Sequence, residues 1–304
     1  QHAAILTVKN INYTNFNDIF ITTNDMIYVL DRGSQHIFVW YTTSLTPIRN
    51  ITITSGNVLT IFVTENDDIY FNDRMLLFTA IRNVTSNLTN FVSVTETYDG
   101  CYDIFIDNSN NIYCSIQYNH QVIRKSLNNP SGLTDIIAGT GTAGRTSYML
   151  NHPQGIFVDT NFDLYVSDYN NDRIQLFRVG ETDGITVAGN NSTITLVGPF
   201  GVVLDGNKYL FIVDHSQQHH RIIADGPNGF RCIIGCSTGV SSLYQPRSMS
   251  FDSFGNIFVV EPANGKVKKF TLLTNSCSKL DNTTSYNEAI FHTFIRCINH
   301  VIQK

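Results

Sequence analysis

One two-stranded phrase recurs six times along the 304 residues: an apolar triplet, a polar turn, an apolar pair and, after two more residues, usually an acid. It reads Ile19-Phe20-Ile21 with Ile27-Tyr28, Ile61-Phe62-Val63 with Ile69-Tyr70, and Ile104-Phe105-Ile106 with Ile112-Tyr113. It continues as Ile156-Phe157-Val158 with Leu164-Tyr165, Val202-Val203-Leu204 with Leu210-Phe211, and Met249-Ser250-Phe251 with Ile257-Phe258. From Ile27 through Ile69, Ile112, Leu164, Leu210 and Ile257 the intervals are 42, 43, 52, 46 and 47 residues. A sustained period of this length marks a repeat architecture in which each unit buries its apolar face only against its neighbours.

Each period holds four short runs rich in Ile, Val, Phe and Tyr, separated by Asn, Asp, Gly and Ser, which is strand and turn chemistry. Turns such as Asp107-Asn108-Ser109-Asn110-Asn111 and Asp252-Ser253-Phe254-Gly255-Asn256 offer Asn, Asp or Gly where positive φ is needed. Third strands are expected at 37–39, 122–123, 174–176, 221–223 and 267–270, with no clear equivalent in the second repeat. Fourth strands are expected at 51–53, 91–94, 136–138, 185–187 and 230–233, and the sixth repeat lacks one. The fold class is therefore all-β, a six-bladed β-propeller of four-stranded antiparallel blades over residues 1–276. Ile5-Leu6-Thr7-Val8 alternates correctly to supply the missing strand and close the ring, removing exposed sheet edges. Residues 277–304 form a Cys-containing tail packed on the propeller, where Ile290, Phe294, Ile298 and Val301 suit either a helix or a strand.

Aromatic residues make up 12% of the chain and charged residues only 15%, against the usual ~25%, which excludes disorder. No apolar run reaches the ~20 residues of a membrane-spanning helix. A net charge of −5 without a basic tract argues against nucleic acid as a partner. The first residue is Gln1, so the chain reads as a processed or excised piece.

The fourth repeat, His152-Pro153-Gln154-Gly155-Ile156-Phe157-Val158-Asp159 followed by Leu164-Tyr165-Val166-Ser167-Asp168-Tyr169-Asn170-Asn171-Asp172-Arg173-Ile174-Gln175-Leu176-Phe177, resembles an NHL repeat nearly throughout. Repeats five and six keep the pattern more loosely, with His219-His220-Arg221-Ile222 and Asn264-Gly265-Lys266-Val267. The resemblance, over about residues 13–273, implies a six-bladed propeller used mostly for binding.

The acid ending the second strand is Asp31, Asp73, Asp168, Asp214 and Glu261, with Ile116 in the third repeat. These acids are expected to cap loops, and the alternative is a calcium-binding set at the channel. At the repeat position of His152 the other units carry Asn15, Asn57, Gly100, Gly198 and Gln245. The repeated His set that amidating lyases of similar fold place at the channel is therefore absent, and His152 reads as a turn residue before Pro153. His220 fills the repeat's own His-Arg position, and Gly139-Thr140-Gly141-Thr142-Ala143-Gly144 lacks the Gly-Lys-Ser/Thr ending of a phosphate loop. No nucleophile–base arrangement stands out.

Six cysteines allow three bridges. Cys232 can pair with Cys236 and Cys277 with Cys297, whereas a simple hairpin register sets Ile104, not Cys101, opposite Cys114. Glycosylation sequons stand at Asn12, Asn50, Asn83, Asn87, Asn190, Asn191 and Asn282, none of them in a first or second strand. Cysteines and sequons together favour a secreted or extracellular protein. Long connections at 139–152, 189–199, 214–220 and 235–246 gather on one face, where Arg145, Tyr148, Tyr169, His215, His219 and Tyr244 are candidate contacts. The expected function is a non-enzymatic binding module for a protein, peptide or glycan, a monomer without cofactor. The alternative is a propeller enzyme of lyase or lactonase type with a metal at the central channel.

Overall fold

The computed structural model describes residues 3–6, 15–44, 46–53, 58–72, 79–81, 91–93, 100–129, 131–189, 194–216, 219–236 and 243–271. They form six four-stranded antiparallel sheets. Sheet 1 comprises Phe16–Ile21, Met26–Asp31, His36–Tyr41 and Arg49–Thr52, and sheet 2 comprises Ile61–Val63, Ile69–Phe71, Thr79–Ile81 and Phe91–Ser93. Sheet 3 holds Asp103–Ile106, Asn111–Ile116, Gln121–Ser126 and Asp135–Gly139. Sheet 4 holds Pro153–Val158, Leu164–Asp168, Arg173–Phe177 and Ile185–Gly189, and sheet 5 Pro199–Leu204, Leu210–Asp214, Arg221–Ala224 and Arg231–Ile234. Sheet 6 runs Ser248–Phe251, Ile257–Glu261, Lys266–Phe270 and then Ala3–Leu6.

The first strand of each sheet lies against the first strand of the next, and that of sheet 6 returns to that of sheet 1. An apolar cluster fills each gap between neighbouring sheets, from Tyr28, Leu30 and Phe71 between sheets 1 and 2 round to Trp40 and Phe258 between sheets 6 and 1. This is an all-β propeller with four-stranded blades. The period-2 alternation of the repeat explains it, since one side of each sheet packs on the sheet before and the other on the sheet after.

The amino-terminal strand pairs with Lys266–Phe270 from Ala3 opposite Phe270 to Leu6 opposite Val267. It begins two residues earlier than the sequence pattern suggests, and Thr7 and Val8 lie outside the described residues. The third strand of sheet 2, Thr79–Ile81, carries only one large apolar residue, which is why the repeat pattern does not reveal it. The expected tail, with Cys277 and Cys297, lies wholly outside the described residues, as do Asn12, Asn83, Asn87, Asn190, Asn191 and Asn282. Asn50 sits exposed on the outer strand of sheet 1.

The tight turns between first and second strands each contain a left-handed residue, but its identity departs from the expected Asn, Asp or Gly in two of them. Asp25, Asp67, Asn110 and Gly255 follow the rule, whereas Phe162 and Lys208 adopt φ of 65° and 64°. The conformation is held by side-chain acceptors. Asp159 takes the amides of Asn161 and Asp163, and Asp205 those of Asn207 and Tyr209.

Candidate functional site at the propeller axis

The second-strand acids are built into their own blades. Asp31 accepts the amides of Asn15 and Gly33, and Asp168 accepts that of Asn151 together with Arg173 Nε at 2.7 Å. Asp214 holds the Val197 amide and Arg221, and Glu261 holds the Tyr244 amide and Lys268. All four are fully buried. They tie the incoming inter-blade loop to the end of the second strand, and among the described residues no group of three or more His, Cys, Asp or Glu is assembled to hold a metal ion.

In blade two this role belongs to Asn72, one residue ahead of the expected Asp73, which lies outside the described residues. Asn72 Oδ1 accepts the amides of Leu59 and Thr60, and Nδ2 donates to the Cys101 carbonyl. In the third blade, where Ile116 replaces the acid, the incoming segment is held by a Cys101–Cys114 disulfide with a Cα separation of 5.3 Å. Ile104 is indeed the ladder partner of Cys114. Cys101 nevertheless reaches it, because it precedes the strand and leaves the ladder where Asn72 anchors its carbonyl. Cys232 and Cys236 are also bonded, so the described residues contain no free cysteine.

The Arg of the NHL-like pattern shapes the loop beside it. Besides Asp168, Arg173 donates to the carbonyls of Arg145, Thr146 and Met149, and Arg221 donates to that of Thr195. His152 has φ of 54°, matched by Gly198 at 61° and Gln245 at 48°, so its position is conformational.

The six proposed contact residues do not converge. Arg145 and Tyr148 are exposed on one loop and Tyr244 on another, and His219 is drawn to 3.5 Å from Asp214. Tyr169 and His215 do come together, both against Phe200, with ring centroids 6.0 and 5.0 Å away. His215 Nδ1 lies 2.8 Å from the Pro246 carbonyl oxygen, and burial lowers its pKa.

Phe200 leads to the axis, where a cavity of about 140 Å³ is lined by the first strands of all six sheets. Towards the short turns, Phe20, Phe62, Phe105 and Phe157 form a chain of rings with successive centroids 4.7, 5.3 and 5.1 Å apart. Two residues earlier in each strand the wall is Asp18, Thr60, Asp103, Gly155, Gly201 and Ser248. The glycines allow close approach: a Cβ at Gly155 would meet the Phe200 carbonyl oxygen at 2.3 Å.

On the other side of this ring of positions, carboxylates bridge the sheets. Asp18 accepts the Ile61 amide of the next blade, and Asp103 accepts the Ile156 amide of the blade after it. Between them, Thr60 Oγ is 2.8 Å from Asp18 Oδ2 and 2.8 Å from Asp103 Oδ1. A hydroxyl carries one hydrogen and an ionised carboxylate only accepts, so one of these contacts requires a protonated carboxyl. The electrostatics agree. Burial raises the Asp18 pKa, and burial reinforced by the Asp18 charge pushes Asp103 up to about 7.

Arg247 crosses the axis at the loop-face end of this wall. Its Nη1 donates to Asn17 Oδ1 at 2.9 Å, and its guanidinium lies 4.8 Å from the ring centres of both Tyr102 and Phe200. The arrangement combines a carboxyl pair joined by one hydroxyl, a half-buried guanidinium and aromatic walls.

No protein-family model and no curated protein matches the sequence. Among solved structures, a streptogramin B lyase superposes with a TM-score of 0.60 at 11% identity, covering 88% of this chain and 96% of that one. Virginiamycin B lyase from Staphylococcus aureus, in a catalytically inactive histidine-to-alanine form with quinupristin, gives 0.60 at 12% identity, covering 91% and 90%. A structural-genomics protein of unknown function from Bacteroides thetaiotaomicron gives 0.72 at 11% identity, covering 88% and 75%. At these identities the likeness concerns the fold, and the chain is a β-propeller similar to those of the two lyases.

Proposed function

We propose that the protein is a propeller enzyme performing acid–base chemistry in its axial cavity. The observation that carries this reading is the Asp18–Thr60–Asp103 bridge, two half-buried carboxyls sharing one hydroxyl, with the Asp103 pKa at about 7. Such a pair supplies both partners of an elimination or ester-opening step near neutral pH. The ionised member removes a proton from substrate, and the protonated member returns one to the departing oxygen. Lyases on the same fold support the reaction class. The Staphylococcus aureus enzyme is inactive in a histidine-to-alanine form, whereas among the described residues no histidine lines the axial cavity here, and this reading gives the acid–base roles to carboxyls. Two disulfides fit a secreted protein, the compartment expected from the sequence.

The test is a panel of lactones, depsipeptides and hydroxy-acid esters scanned for products by mass spectrometry. Asp103→Asn and Asp18→Asn, checked for folding by circular dichroism, should each lower turnover at least ~100-fold. Turnover that survives both substitutions would overturn the assignment.

A second reading keeps the loop face as a recognition surface for protein, peptide or glycan. It is favoured by the exposure of Tyr118, Tyr148 and Tyr244. Exchanging loop 139–152 would then abolish partner capture without touching the axial cavity.

A further inference from the structure

We infer that the axial cavity takes a compact organic monocarboxylate, bound through Arg247. The inference rests on the axial cavity being the working site and adds the class of ligand.

Arg247 reaches the axis with its charge uncompensated at contact distance. Among the described residues it makes no ion pair within 4.0 Å, unlike Arg173 and Arg221, which are spent on Asp168 and Asp214. Among the described residues its side chain donates one hydrogen bond, to the neutral amide of Asn17. A guanidinium has five N–H donors in a planar fork, so donors remain on a group that lines the cavity. Tyr102 and Phe200 flank the guanidinium from two blades, each with its ring centre 4.8 Å away, which limits its movement before any ligand arrives. Burial lowers the Arg247 pKa, an electrostatic cost that an incoming anion relieves.

The charge and shape of the cavity select among anions. Asp18 and Asp103 act on Arg247 only through space, since neither forms an ion pair with it within 4.0 Å and their oxygens meet Thr60 and the amides of Ile61, Ile104 and Ile156. Once one of the two is ionised it adds a negative charge to the same wall, so a dianion such as phosphate is disfavoured more strongly than a monocarboxylate that takes the free donors of the guanidinium. The Phe20, Phe62, Phe105 and Phe157 rings give the body of the ligand an apolar surface. A cavity of about 140 Å³ admits only a small molecule.

Titration calorimetry on the intact protein with propionate, benzoate, their methyl esters and inorganic phosphate tests this. Propionate or benzoate should bind at least tenfold more tightly than its ester, and phosphate should not bind. Arg247→Met should remove carboxylate binding, while Arg247→Lys, which keeps the charge without the fork, should weaken it. Equal binding of acid and ester by the unsubstituted protein, preference for phosphate, or undiminished carboxylate binding by Arg247→Met would each overturn the inference. The two readings fail separately. Carboxylate binding without any turnover removes the enzyme reading alone, and turnover of substrates lacking a carboxylate removes this one alone.

Discussion

The Arg247 guanidinium lies 4.8 Å from the centre of the Tyr102 ring, although the two residues enter from sheets three places apart in a ring of six. The side chain therefore spans the axis, and blades distant in sequence share one polar core. Asp18, Thr60 and Asp103 do the same for three consecutive blades. A propeller leaves an unfilled axis wherever its first strands diverge, and this chain lines it with a guanidinium and a carboxyl pair that do not touch each other.

The carboxyl pair gives a pH signature. The Asp103 pKa is raised from 3.8 to about 7 by burial and by Asp18, so the folded state binds more protons than the unfolded chain between those values. The stabilisation is complete below about pH 4 and is lost as pH rises through about 7. Asp103→Asn, which imitates the protonated form, should show a smaller fall in Tm between pH 4.5 and 8 than the unsubstituted protein. Asp205, raised to about 6 by burial, contributes equally to both and drops out of the difference. Parallel Tm curves would disprove the shared proton.

Asn72 holds two amides of its own blade and a carbonyl of the next. Asn72→Ala strands these buried groups, each worth about 1–3 kcal/mol, and thermal unfolding should fall by several degrees. Asn72→Asp should also destabilise, because it loses the donor to Cys101.

Gly155→Ala places a methyl group 2.3 Å from the Phe200 carbonyl oxygen. The blades must shift to admit it, at a cost of about 1–3 kcal/mol, read as a lower denaturation midpoint. An unchanged midpoint would mean that the ring is looser at this position than the geometry requires.

Removing residues 1–6 strips the outer strand from sheet 6 and exposes the unpaired edge of Lys266–Phe270. The truncated chain should melt at a lower temperature and self-associate, measured by scanning calorimetry and light scattering.

Converting Cys101 and Cys114 together to Ser should cost about 2–4 kcal/mol. In the third blade the bond does the work that Asp31, Asp168, Asp214 and Glu261 do elsewhere. The same change at Cys232 and Cys236, which lock only a four-residue separation at an outer strand, should cost less.

Much of the scaffold was legible in the sequence, because period-2 alternation and turn residues are local properties. Strands, turns, loop-capping acids and the closing strand at the amino terminus can be found by counting along the chain. Counting misled where the repeat slips by a residue, as at Asn72, where a segment leaves the ladder, as at Cys101, and where a strand carries little apolar signal, as at Thr79–Ile81. Asp18, Thr60 and Asp103 had a signal that was overlooked, since each stands immediately before the apolar triplet of its repeat and so faces the axis with the middle residue of that triplet.

The sequence alone determined a ring of strands with alternate residues of each first strand offered to the centre. Only the tertiary structure decided what the centre is. An axial position collects its members from blades about 46 residues apart, and each side chain acquires its meaning from the others. Asp103 is an ordinary acid in its own strand. Its proton is held by burial among six strands, by the charge of Asp18 and by the single hydrogen of Thr60, none of which is near it in sequence.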